Sequence, residues 1–280
     1  MKSKNTRNTV LISVFIAILA INIGFIFTNL PFSKATNQIT FLEGLKISAT
    51  YNRPIEIDDA DPTKNWATAK ALGICTGSGT SGDPYIISNV LFNTTSGSVC
   101  LSISNSIKHF RVLNCEFIIS GFSAGITLDN TEYGLIEDNQ LPRNISINIL
   151  VDHCSLVTLR DNNCSASGTG IAVAYSTCVA LYSNIVNDNL GNGINLDLCQ
   201  SCAINDNELI ENDNNGIYIN NCDSVTIRTN TIINNSIGIN NKISNNTQVI
   251  GNIITNNGNH GIRIFQSHWC EISVFKCISL

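Results

Sequence analysis

The sequence predicts an all-β fold, a right-handed parallel β-helix (solenoid), and three observations carry that expectation. The first is a column of Gly-Ile pairs beginning at Gly125, Gly170, Gly193, Gly216, Gly238 and Gly261, with spacings of 45, 23, 23, 22 and 23 residues. The second is a column of asparagines, Asn139, Asn162, Asn184, Asn207, Asn230 and Asn252, spaced by 23, 22, 23, 23 and 22. The third is period-two alternation of apolar residues in short segments such as Gly216-Ile-Tyr-Ile and Val225-Thr-Ile-Arg. Alternation marks strands. A period near 23 suits one β-helix coil, whereas helical repeats need ~33 residues or more.

The first element is apolar. Lys2, Lys4 and Arg7 precede a run from Val10 to Leu30 without an ionisable side chain. At ~1.5 Å per residue such a run crosses one hydrocarbon core, with its basic flank inside. Residues 1–35 are therefore read as an N-terminal transmembrane or signal helix. The favoured form is an uncleaved anchor; the alternative is a cleaved signal peptide, for which Ser33-Lys34-Ala35 is the only tolerable site. Either way the remainder is membrane-anchored facing outside the cytoplasm, or secreted.

Residues 36–98 read as a lead-in and N-terminal cap. Trp66 to Leu72 suits a short helix, and a solenoid needs its first coil covered. Residues 99–280 hold the coils. Asn114, 25 residues before Asn139, is read as the start of the asparagine ladder. Stacked ~4.8 Å apart, inward Asn side chains pair with one another and with backbone that would otherwise be buried unpaired. The glycines are expected to permit a tight bend or a positive φ. The 45-residue gap holds two coils, the irregular one with its strand at Ile147-Asn148-Ile149 and an insertion around Gln140–Arg143, which places Pro142 in a loop. In the last coil Phe275 stands where the next ladder Asn belongs, and Ser279 and Leu280 end the chain. The favoured reading of that loss is a shortened member of a longer family with an open end.

Sixteen basic residues against 21 acidic ones give a net charge of −5, which excludes a nucleic-acid partner. Eleven cysteines in an exported chain permit disulfides, and the odd number leaves at least one thiol free or paired between chains. Cys199 and Cys222 each lie six residues after a coil glycine and are expected to be stacked neighbours.

The pattern Gly-Ile-x-Leu, Cys, Ile-x-x-Asn-x-Ile-x-x-Asn resembles the parallel β-helix repeats of NosD-like proteins and of the pectin-lyase-like carbohydrate-active group. The segment from Trp66 through Asp83-Pro84-Tyr85-Ile86-Ile87 is similar to the lead-in of archaeal β-helix surface proteins. The resemblance covers roughly residues 65–280. It implies a β-helix whose relatives serve as polysaccharide lyases, hydrolases or epimerases, in the maturation of copper enzymes, or as inert surface modules.

The chemistry is sparse. Asp129 and Asp197, four residues after their glycines, fall three coils apart, ~14 Å, too far for one site. Asp152 is counted one position off their column. Asp138 and Asp161 are equivalent positions on the next strand, with Glu137 and Arg160 beside them. These four are the candidate weak calcium or sugar site, set against a plain surface charge cluster. No other metal or cofactor is expected: one Met and four His (His109, His153, His260, His268) do not make a copper centre. Tyr175, Tyr182 and Tyr218 are candidate sugar-stacking residues, in different columns. The balance falls against catalysis. The chain is read as a surface-displayed structural or glycan-contacting module outside the cytoplasm. The alternatives are a polysaccharide-active enzyme of lyase, hydrolase or epimerase type, and an accessory protein for an exported metalloenzyme. Partners would be surface polysaccharide or other envelope proteins, with the membrane met through the N-terminal helix.

Overall fold

The computed structural model describes residues 47–94, 99–119, 124–273 and 276–278. The apolar run from Val10 to Leu30 lies outside these residues, as do Phe275, Ser279 and Leu280. Among the described residues no helix is long and apolar enough to cross a membrane.

The described chain is a right-handed solenoid of parallel sheets. One nine-stranded sheet, here the site sheet, contains in spatial order the strands Ile55–Asp58, Leu101–Ser106, Ala124–Thr131, Ile147–Asp152, Thr169–Ala174, Ile194–Asp197, Asn215–Asn220, Ile237–Lys242 and His260–Phe265. A second nine-stranded sheet runs from Tyr85–Ser88 to Glu271–Ser273. The third face holds a three-stranded and a four-stranded sheet. Single parallel bridges, Glu116 to Gln140 to Asn163 to Ile185 to Glu208, carry the stacking between those two. The stack starts ahead of residue 99, since Ile55–Asp58 pairs with Leu101–Ser106 and Ala49–Tyr51 with the strand Val90–Thr94. The lead-in thus supplies a first coil as well as a cap.

The cap is the helix Trp66–Ala71, opened by Asn65, whose side chain accepts from the Thr68 amide. Trp66 is buried, donates Nε1–H to Ser106 Oγ at 2.9 Å and stacks on Tyr85 at 4.8 Å. A large ring with its polar edge satisfied can close the end of an apolar core.

The corners explain the periodic residues. Asn114, Asp138, Asp161, Ser183, Asp206 and Thr229 all have φ between 51° and 58°, and Gly251 has φ 66°. A left-handed residue turns the chain sharply, and Asn, Asp and Gly tolerate that conformation best. The next residue then faces inward. Asn139, Asn162, Asn184, Asn207, Asn230 and Asn252 occupy those inward positions and are all buried. Each is joined to the next by side-chain hydrogen bonds of 2.9–3.0 Å. The backbone amide of each donates to the Oδ1 of the next as well. A second such ladder runs through Asn189, Asn212, Asn235 and Asn257. A third corner stacks small polar side chains: Cys154 N–H donates to Ser176 Oγ, Cys199 N–H to Cys222 Sγ, and Cys222 N–H to Ser244 Oγ.

Asn114 is a correction. It is the left-handed corner residue, and it donates to Asn89 Oδ1. The inward position next to it is taken by Cys115, whose amide donates to Asn139 Oδ1. The glycine column also works differently from the expectation. None of its glycines has a positive φ. At Gly193 an added Cβ would lie 2.8 Å from the Gly216 carbonyl oxygen and 3.0 Å from Asn212 Nδ2. Gly193, Gly216 and Gly238 are needed because neighbouring backbone carbonyls and the second asparagine ladder, Asn212, Asn235 and Asn257, pack onto them. In the irregular coil Asn148 takes the glycine position, lying between Ile147, paired with Ala124, and Ile149, paired with Ile126. Its side-chain amide is satisfied there: Nδ2 donates to the Pro142 carbonyl and to Ser167 Oγ.

Candidate functional site

Two outward-facing columns run along the site sheet. In one, Ser104, Asp129, Asp152, Ala174, Asp197, Asn220, Lys242 and Phe265 follow each other strand by strand. Asp129 and Asp152 are direct neighbours on adjacent strands. The residue after Asp152 is His153, a left-handed corner residue with φ 51° that brings its imidazole back beside the pair. Its Nδ1 lies 3.0 Å from Asp152 Oδ1, and its ring stacks on Tyr175 at 4.8 Å. Ligand atoms of Asp129, Asp152 and His153 all lie within 4.8 Å of one another.

The electrostatics follow from that crowding. Burial, reinforced by the Asp152 charge, lifts the Asp129 carboxyl from 3.8 to about 6. Burial also lifts Asp152, while His153 works against the rise. Two carboxyls this close do not both ionise freely below about pH 6, so there the pair can hold one proton and pass it on. The same three side chains can hold a divalent cation such as calcium, with open positions for water or a ligand. Leu150, on the strand of Asp152, and Ala172, on the next, are buried in the adjoining outward column and give the cluster an apolar flank.

The four residues singled out from sequence sit elsewhere, on the second nine-stranded sheet. Glu137 and Arg160 are register partners and form an ion pair. Arg160 also lies 4.0 Å from Asp161. Burial and the neighbouring Glu137 and Asp161 carboxylates raise the Asp138 carboxyl. Arg160 thus pairs with Glu137 and lies near Asp161, while Asp138 faces the two other carboxylates. Asp138 and Asp161 themselves are left-handed corner residues. Tyr175 stacks on His153, Tyr218 lies in the other outward column of the site sheet, and Tyr182 belongs to the second sheet.

Sequence reasoning missed Asp152 and His153 because the irregular coil lacks its glycine. With Asn148 placed in the glycine column, the same four-residue offset that gives Asp129 from Gly125 gives Asp152. The signal was present, hidden by one substitution.

A family model described as periplasmic copper-binding protein (NosD) matches residues 108–272, more than half of the chain. Comparison with curated protein sequences gives no match. Among solved structures, a point mutant of the periplasmic alginate epimerase AlgG is similar with a TM-score of 0.58 and 15% identity, covering 68% of this chain and 60% of that one. The enzymatically active domain of bacteriophage CBA120 tailspike protein 2 is similar with a TM-score of 0.57 and 15% identity, covering 70% of this chain and 34% of that one. The chain therefore spans about 60% of the epimerase's length and a third of the tailspike's. At these identities the likeness is one of fold.

The expectation against catalysis does not stand. It rested on the lack of two compact carboxylates. Asp129 and Asp152 supply them, His153 completes a group able to coordinate a metal, and the solenoids sharing this fold include an alginate epimerase and an enzymatically active tailspike domain. Copper is a poorer fit to the residues present. It favours soft sulfur and imidazole donors, and the cluster offers two carboxylates and one imidazole. The nearest thiol, Cys154, turns inward to the Asp152 carbonyl at 3.1 Å and Thr131 Oγ1 at 3.2 Å, and burial pushes it up to about 11.

Proposed function

We propose, from the premise that the chain belongs to the NosD family, that it is a polysaccharide-modifying enzyme working outside the cytoplasm. The single observation that carries this reading is the in-register pair Asp129 and Asp152 with His153 at its edge. The export-type N-terminus and the periplasmic description of the family support the location. The fold shared with an alginate epimerase and an active tailspike domain supports a glycan as the substrate class.

The residues divide the work as follows. Asp129, its proton retained to about pH 6, is the proton donor and acceptor toward the sugar. Asp152 holds the complementary charge, and His153 orients it through Nδ1. The Tyr175 ring fixes the imidazole plane. A divalent cation held by the three would add charge stabilisation for an anionic intermediate. The carboxyl atoms are closer than the ~6.5–9.5 Å that an inverting hydrolase needs for its water. That favours proton transfer on the sugar itself, the chemistry of epimerases and lyases, over inversion by water.

The test is a panel of uronate-containing and neutral polysaccharides incubated with the full-length protein. Polymer size, unsaturated ends and sugar configuration by NMR are read together. Conversion of at least one substrate, lost in Asp152→Asn, is expected. Binding without conversion of any member of the panel would overturn the enzyme reading.

A further inference from the structure

Beyond the acidic cluster, the outer face of the site sheet changes character toward its C-terminal end. In one outward column Asn195, Tyr218, Asn240 and Arg263 follow in register, and beside it run Asp197, Asn220, Lys242 and Phe265. Tyr218, Asn240, Lys242, Arg263 and Phe265 line a groove of about 330 Å³. Neither Lys242 nor Arg263 has an ion-pair partner among the described residues. The nearest carboxylate in these columns, Asp197, accepts from Asn220 Nδ2 at 2.7 Å. Arg263 lies 5.8 Å from the centre of the Phe265 ring, which is 44% exposed. Two neighbouring cations without counter-ions, walled by two aromatic rings, repel each other unless an anion joins them. An acidic catalytic cluster on the same face sharpens the point, because it would push an anionic polymer away unless cations hold that polymer elsewhere.

We infer that the groove of Tyr218, Lys242, Arg263 and Phe265 is a subsite for a carboxylate- or sulfate-bearing sugar, part of the same glycan chain that reaches Asp129 and Asp152. The inference rests on the polysaccharide reading above and narrows its substrate to an anionic polymer. Arg263 suits a bidentate oxyanion, Lys242 adds a point charge, and the rings offer flat apolar surface to a sugar face. Lys242 stands four strands from Asp152 in one column, ~19 Å at ~4.8 Å per strand. One extended oligosaccharide lying along the solenoid axis can therefore touch both.

The experiment uses the full-length chain in detergent and three fluorescent oligosaccharides of equal length. These are an oligogalacturonate, a chondroitin sulfate fragment and a neutral maltooligosaccharide, followed by anisotropy at low and high salt. An anionic probe should bind more tightly than the neutral one, and less so at high salt. Lys242→Gln and Arg263→Gln should each weaken that binding ~10-fold or more, the scale of one charge-assisted contact. Phe265→Ala should weaken it less. Unchanged melting temperatures would show that these surface variants fold. The carboxylate and sulfate probes separate the two possible sources of the anion. Equal binding of neutral and anionic probes, or no loss in the two charge variants, would overturn the subsite while turnover at Asp152 left the enzyme reading standing. No binding and no conversion of any probe would overturn both.

Discussion

The regular coils and the irregular one, residues 140–163, use the same sheets for different ends. In the regular coils each corner repeats: a left-handed residue and an inward Asn, with a second ladder packed on Gly193, Gly216 and Gly238. The ladder asparagines have their amide and carbonyl spent on neighbours, so they have nothing left to meet a ligand. The irregular coil breaks one term, with Asn148 for glycine and the Pro142 carbonyl accepting from its side chain. Its strand then carries Asp152, and its corner carries His153. The difference teaches that the ladders make the scaffold insensitive to what the outward columns hold. Chemistry can thus enter at a single coil without disturbing the stack.

The largest expected effect tests the irregular coil. Asp152→Asn should reduce turnover by ~10²-fold or more, the range of a lost acid–base partner, while leaving the melting temperature within a few degrees. Wild-type rates in that variant would remove the pair from the chemistry.

The next test breaks a regular coil. Asn207 accepts from the Asn184 amide at 2.9 Å and donates to the Leu181 carbonyl at 3.0 Å and Asn230 Oδ1 at 3.0 Å. Asn207→Ala leaves buried groups unpaired and should cost ~1–3 kcal/mol. At ~2–4 °C per kcal/mol the melting temperature should drop by several degrees, with turnover retained at low temperature.

The two regions should also respond differently to pH. Asp129 binds its proton more tightly folded than unfolded, because burial lifts it to about 6. The folded state therefore holds the extra proton between pH 4 and 6. The stability contribution is fully present below about pH 4 and is lost as pH rises through 6. Denaturant titrations should show that loss in the native chain and a flatter profile in Asp129→Asn. Identical profiles would mean that Asp129 titrates as an exposed carboxyl.

Millimolar calcium sharpens the comparison further. It should raise the melting temperature of the native chain by linkage to the folded state, and not that of Asp152→Asn. An equal rise in both would place the ion elsewhere. The smallest effect is expected at the charge cluster of the second sheet. Glu137→Gln breaks a partly exposed ion pair and should change stability by no more than ~1 kcal/mol.

Much of the solenoid was readable from residue order. The Gly-Ile and Asn columns repeat at a period that suits a β-helix coil, and the spacing alone aligns Asn139 through Asn252. Backbone hydrogen bonds join equivalent residues one coil apart, so a sequence that repeats at the coil length reports them directly. Asn114 shows the limit. One residue separates a corner from a ladder position, and only the φ values assign it.

The site was much less readable, for a physical reason. Asp129 and Asp152 are 23 residues apart and meet only because strands stack in register. A single miscounted residue moves a side chain to the other face of the sheet, and the coil that carries Asp152 is the one without its glycine. The charge cluster of Glu137, Asp138, Arg160 and Asp161 was visible as a pattern, but whether its arginine would pair inward or leave room for a cation depended on side-chain packing. The order of residues was enough to set the coil, its corners and its ladders, because those follow from short-range periodicity. Which outward side chains meet, which proton is held back and which cations stay unpaired were settled by the stacking of distant coils.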